Sequence, residues 1–256
     1  MQQINREFAS KVLETVNAGL VGGLGIAKPG QMCVEAVICY AMGVKHGDKP
    51  SCVGAAVNSF MIRLNDASWP TDKDRTETLR RISIAQLGSN TIDQKEFARL
   101  VTLETIRKMI PIALRAAAKL NPKFADELEE QSLVCEGITD LETGRKAAQD
   151  SSDLALRVRA AAADAAAADA YAAAAADAYA AYAAAAYAAY AAAAAADAAY
   201  AAAAYAAAAY AAAAYAYAAY AAAAARLEVL KEAAQIGLDA LIELKSPGVE
   251  FLDLCE

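Results

Sequence analysis

From Lys146 through Ile236 the chain contains neither glycine nor proline. Nothing in that stretch marks a turn, so it has to be built from long elements. Lysine and arginine are also absent from residues 160 to 225, which consist of 51 alanines, 11 tyrosines and 4 aspartates. A nucleic-acid binder gathers cations on one face to displace counterions, and this tract offers none, which argues against DNA or RNA as a partner. Histidine and tryptophan occur once each, as His46 and Trp69. The five cysteines are an odd number, and the opening MQQINREF has no basic and apolar pattern of a secretory leader. Reduced thiols in a cytoplasm are therefore expected. Residues 198 to 225 are uncharged and long enough to cross a bilayer, but they lack Leu, Ile, Val and Phe. Alanine is nearly neutral for insertion, so a membrane is not an expected partner either.

What is present falls into two halves. Residues 1 to 150 carry 19 Lys+Arg and 19 Asp+Glu, whereas residues 151 to 256 carry 5 against 12, so the net charge of −7 sits wholly in the second half. The first part reads as a helical domain over residues 1–145 with ordinary loop chemistry. A short helix at 5–18 leads into the glycine-rich connector VGGLGIAKPGQ, residues 21–31. That connector lacks the GK[ST] ending of a phosphate-binding loop. A second helix with Met32, Val34, Val37 and Ile38 as apolar positions stops near Gly43, and Ser51 offers an N-cap for a third, running to Leu64. Gly88 is placed to end a fourth helix, and Asp93 to start a fifth, which Pro111 should divide. An acidic helix after Pro122 leads into an expected linker from Thr139 to Ser152.

Alanine has the highest helix propensity, so residues 146–246 are expected to form a long Ala/Tyr-rich helix or helical assembly, followed by a docking tail at 247–256. An unbroken helix from Asp153 to Lys245 would extend roughly 140 Å. Tyr200, Tyr205, Tyr210, Tyr215 and Tyr220 recur every five residues. A step of five turns an α-helix by about 140°, which scatters these rings around the cylinder and leaves neither a heptad seam nor an amphipathic stripe. A period of five also suits an alanine-rich pentapeptide β-solenoid, although the inward Leu or Phe of each such repeat is missing. An expanding DNA repeat would give the same period. In the helical reading, alanine faces permit close approach and tyrosines add aromatic area. Self-association follows, with Tyr182, Tyr187, Tyr190, Tyr200, Tyr205, Tyr210, Tyr215 and Tyr220 as the assembly residues.

Chemistry, if the chain performs any, concentrates in QMCVEAVICYAMGVKHGDKPSC, residues 31–52. Cys33 at a helix N-terminus, with His46 as base and Asp48 as its orienter, has the parts of a cysteine-dependent hydrolase. The same cysteines with His46 suggest zinc, but the C-x5-C-x6-H-x5-C spacing is not that of a zinc knuckle, and Cys33 and Cys39 diverge by about 240° on a helix. No metal and no cofactor is therefore expected. The plainer reading makes Cys33 and Cys39 small core residues and HGD a turn. Arg63, Asn65, Asp66 and Trp69 likewise read as a helix end held by Asn and Asp, with the indole packed over it.

The run MCVEAVICYAMGVKHGDKPSCVGAAV, followed by IRLNDASW, ISIAQLGS, the Ala/Tyr/Asp tract and the closing SPGVEFLDLCE, resembles a group of uncharacterised proteins encoded in bacteriophage and prophage genomes. The likeness covers nearly the whole chain. It implies a bacterial host cytoplasm and an accessory role in infection or lysogeny, and it carries no activity, cofactor or functional residue. The expectation is an all-α, non-enzymatic accessory protein that homo-oligomerises through its tract and meets a host or phage protein. The alternative is a cysteine-dependent hydrolase or small-molecule-binding protein using Cys33, His46 and Asp48.

Overall fold

Most helices of the first 145 residues begin where the sequence supplies a cap. The computed structural model describes residues 4–164 and 223–256, and the fold is all-α. Asn5 accepts from the Phe8 N–H to start α1 (Arg6–Asn17), and Thr71 accepts from Asp74 to start α4 (Asp72–Ala85). Asp93 takes the Lys95 and Glu96 N–H groups at the head of α5 (Gln94–Glu104). Each such cap satisfies donors that the helix cannot reach itself. Between α1 and α4 lie α2 (Val34–Ala41) and α3 (Ala55–Asn65). Ser51 does not cap α3. The helix begins three residues later than expected from it, with Gly54 as N-cap, and its free N–H groups are taken from a distance: Gly54 donates to Ser89 Oγ and Ala56 to Gln94 Oε1.

Pro111 divides the fifth helix as expected, by a specific device. A π-helical turn, Thr105–Met109, separates α5 from α6 (Ile110–Leu120), whose first turn contains the proline. Widening the preceding turn makes room for a ring that lacks an N–H and would otherwise clash. After α7 (Ala125–Glu136) the expected linker is instead helical: α8 spans Leu141–Asp164. Asp140 Oδ1 accepts from Glu142 and Thr143 to start it, and Gly144, which marks a break in the sequence, lies inside it within reach of Ile138 and Ile106.

Two hydrophobic cores result. The larger joins α1 to α5 with α9 (Ala223–Glu243) and the 3-10 tail Pro247–Cys255; the smaller joins the π turn with α6, α7 and α8. The two described ends of the region 146–246 are both anchored in these cores. The first residues of the region, among them Ala147, Ala148, Leu154 and Val158, are buried in the smaller core, and Val229, Leu230, Ile236, Leu238 and Leu241 are buried in the larger. The tail docks on its own chain, with Gly248 N–H donating to Leu87 O at 2.7 Å, Arg80 to Cys255 O at 2.7 Å, and Arg6 paired with Asp253. Among the described residues there is no strand, only isolated bridges from Met32 to Leu20 and Gly25, so the β-solenoid alternative finds no support there. No described helix is long and apolar enough to cross a membrane. The five-residue period and the eight assembly tyrosines lie outside the described residues.

Gly237 lets α9 approach the core. A Cβ there would run into the Phe60 ring and the tip of Ile82. Phe60 is itself fixed edge-on to Phe97, with ring centroids 5.9 Å apart. Replacing a mid-helix glycine by alanine ordinarily stabilises by about 1 kcal/mol. Gly237→Ala is expected to do the reverse, lowering the unfolding free energy by roughly 1–3 kcal/mol through overpacking, as read from urea denaturation.

Candidate functional site

Helix α2 consists almost entirely of apolar residues, VEAVICYA, and is buried along its length except at Tyr40. The sequence forces one carboxyl, Glu35, into that environment. Glu35 is fully buried, and neither of its oxygens has a hydrogen-bond partner among the described residues. Desolvation pushes it well above the ordinary carboxylate range, the Gln86 side chain relieves part of that rise, and Asp48 adds to it. Gln86 is equally enclosed, and no hydrogen bond of acceptable geometry joins the amide to the carboxyl. Such a setting disfavours the charged form of the carboxyl.

Around the start of α2 lies a cavity of about 20 Å³, bordered by Gly23, Leu24, Cys33, Glu35, Asp48 and Asn65. Its walls are tied together through Asn65, whose Oδ1 accepts from Val34 N–H while Nδ2 donates to Val21 O and Asp66 Oδ1. Asp66 Oδ1 also accepts from Gly23 N–H at 2.8 Å. The end of α3 thereby holds both the glycine-rich connector and the head of α2. Trp69 completes it, with the indole N–H donating to Leu64 O at 2.9 Å. The polar group Asn65–Asp66–Trp69 is a structural clamp, in line with the plainer reading of its sequence. Arg75 extends the clamp by donating from Nε to Asn65 O and pairing with Asp72.

Cys33 caps α2, its sulfur accepting from Ala36 N–H at 3.4 Å. Burial nonetheless wins over the cap and pushes the thiol up to about 11, with Glu35 adding to the rise. A nucleophilic cysteine needs a shift in the other direction. His46 hydrogen-bonds through Nε2 to Gly25 O at 3.1 Å, and Asp48 stands at the cavity wall. Among the described residues no hydrogen bond links Cys33, His46 and Asp48 to one another, so their closeness in sequence does not become a relay. Cys52 is likewise pushed up to about 11 by burial, and Cys39 is raised for the same reason. No group of three or more His, Cys, Asp or Glu among the described residues is placed to hold a metal ion. A second concavity, a groove of about 450 Å³, runs between α4 and α9 over Ile82 and Leu238, with Glu77, Arg81, Lys231 and Gln235 at its sides.

Sequence reasoning named the right region but not the group that makes it unusual. Glu35 was legible as the lone charge of an apolar octad, whereas its burial near Gln86, 51 positions away, needed the fold. No protein-family model, curated protein or solved structure matches the chain.

Because the folded-state pKa of Glu35 is raised, its contribution to stability is complete below the ordinary glutamate range and is lost as pH climbs toward the folded value. Glu35→Gln removes that titration. The variant is expected to be the more stable of the two at pH 8, and its advantage to shrink steadily as pH is lowered to 4, in parallel denaturation curves. Native-state titration with a thiol reagent at pH 7 should likewise find Cys33 no faster than the other buried cysteines, Cys39, Cys52, Cys135 and Cys255.

Proposed function

We propose that this protein is a non-enzymatic interaction protein that self-assembles through its Ala/Tyr tract, an accessory protein of the bacteriophage or prophage kind that its sequence resembles. The observation that carries the reading is the anchoring of both tract ends. The chain leaves from α8, held in the smaller core, and re-enters through α9, held in the larger one. Residues 165–222 join these two anchored helices in sequence. Their composition, alanine with tyrosine and a few aspartates, supplies apolar and aromatic area without cations. Surface of that kind on a protein marks an interface. A cysteine-hydrolase reading draws no support from a Cys33 thiol raised by burial and bonded only to its own helix. The partner beyond a second copy is a host or phage protein, and the setting the bacterial cytoplasm.

Replacing residues 165–222 by a short Gly/Ser linker tests the reading, because α8 and α9 each bury apolar residues among the described elements. Light scattering coupled to size-exclusion chromatography should give a multimer for the intact chain and a monomer for the deletion variant, with helical circular dichroism and cooperative melting kept. An unchanged oligomeric mass would sink the proposal.

A further inference from the structure

The glycine-rich connector and the loop after α2 form one surface. His46 bonds to Gly25 O at 3.1 Å, and Leu24 and Asp48 border the same cavity, so residues 24–26 lie against residues 46–48. That surface holds four of the eight large hydrophobic side chains exposed among the described residues: Leu24 at 42%, Ile26 at 59%, Tyr40 at 39% and Val44 at 50%. Lys28, Lys45 and Lys49 are exposed on the same segments, and among the described residues their ammonium groups enter no ion pair or hydrogen bond. The neighbouring acids are turned inward or engaged. Glu35 is buried, Asp48 is half-buried at the cavity, and Asp66 accepts from Gly23 N–H and Asn65 Nδ2. The face therefore presents aliphatic side chains among unpaired cations.

We infer that this face receives the Ala/Tyr/Asp tract of a second copy of the chain; the inference rests on the self-association reading above and names the receptor for it. The complementarity is chemical on every count. The tract carries Asp164, Asp169, Asp177 and Asp197 and no cation, and it belongs to the half of the chain that holds all of the −7 charge. Its alanines match Leu24, Ile26 and Val44, and its 11 tyrosines offer ring faces that attract lysine ammonium groups. Opposite charges set around an apolar contact fix register and exclude wrong partners more than they add raw affinity. The complementarity also gives each copy both a donor segment and a receptor face, so that association is heterologous and the number of copies is set by closure.

The test uses the full-length protein in sedimentation equilibrium at low and high salt. Lys28→Glu, Lys45→Glu and Lys49→Glu together should weaken self-association by roughly tenfold or more at low salt and by less at high salt. Asp169→Lys, Asp177→Lys and Asp197→Lys should do the same, and the two sets combined should restore association, with circular dichroism confirming the fold of each variant. If the lysine reversal leaves association unchanged while deletion of 165–222 abolishes it, the receptor assignment is overturned and the self-association reading stands. If neither change has an effect, both fall. Failure of the combined variant to recover removes the tract as occupant. Loss of binding to phosphatidylserine vesicles with unaltered self-association would assign the face to a lipid surface and overturn the inference.

Discussion

The close approach of α9 to α3 and α4 is the constraint on which the rest of the structure depends. Gly237 gives up helix propensity so that the α9 backbone can lie against Phe60 and Ile82. Eleven residues further on Gly248 repeats the arrangement, its missing Cβ leaving room for the Ile84 and Ala85 carbonyls while its N–H bonds to Leu87 O. Gly88, in the left-handed conformation at φ 78°, turns the chain just where Pro247 packs. Three glycines thus set the seam between the first hundred residues and the last thirty. Without the seam Val229, Leu230, Leu238 and Leu241 would lose their burial, and α1 and α4 would be left with an uncovered apolar face.

The same enclosure explains the electrostatics of α2. Burial of the helix along nearly all its length desolvates Glu35 and disfavours its charged form. The thiols of Cys33, Cys39 and Cys52 respond to the same medium and the same neighbour, each raised by burial and each sensing Glu35. Residue types that suggest reactivity in the sequence thereby become inert small core groups. Charge available for recognition lies on the surface, as at Lys28, Lys45 and Lys49.

Sequence and structure agree where local chemistry decides. The start at Asp93 and the division at Pro111 were readable, because each depends on residues a few positions apart. They part where the deciding partner is remote. Ser51 looks like the cap of α3, but Ser89 and Gln94 take that role from 35 and 38 positions away. Gly144 looks like a break, yet it sits inside α8 because Ile138 and Ile106 occupy the space a side chain would need. The acids and apolar residues of the tail were read as a docking element, and only the fold shows that their dock is α1 and α4 of the same chain. For the candidate site, the sequence placed attention on residues 31–52, but the spacing of Cys33, His46 and Asp48 could not reveal that they make no mutual bond.

Arg6 and Asp253 meet at 2.5 Å, so the two ends of the chain lie side by side on the folded body. Together with the anchoring of α8 and α9, this makes the covalent path through the body nearly a ring, with one seam between residues 6 and 253 and the other at the Ala/Tyr segment. Such a body is indifferent to which seam is cut. A circular permutant that links the segment before Arg6 to the segment after Asp253 and opens between α8 and α9 keeps the described packing contacts of both cores.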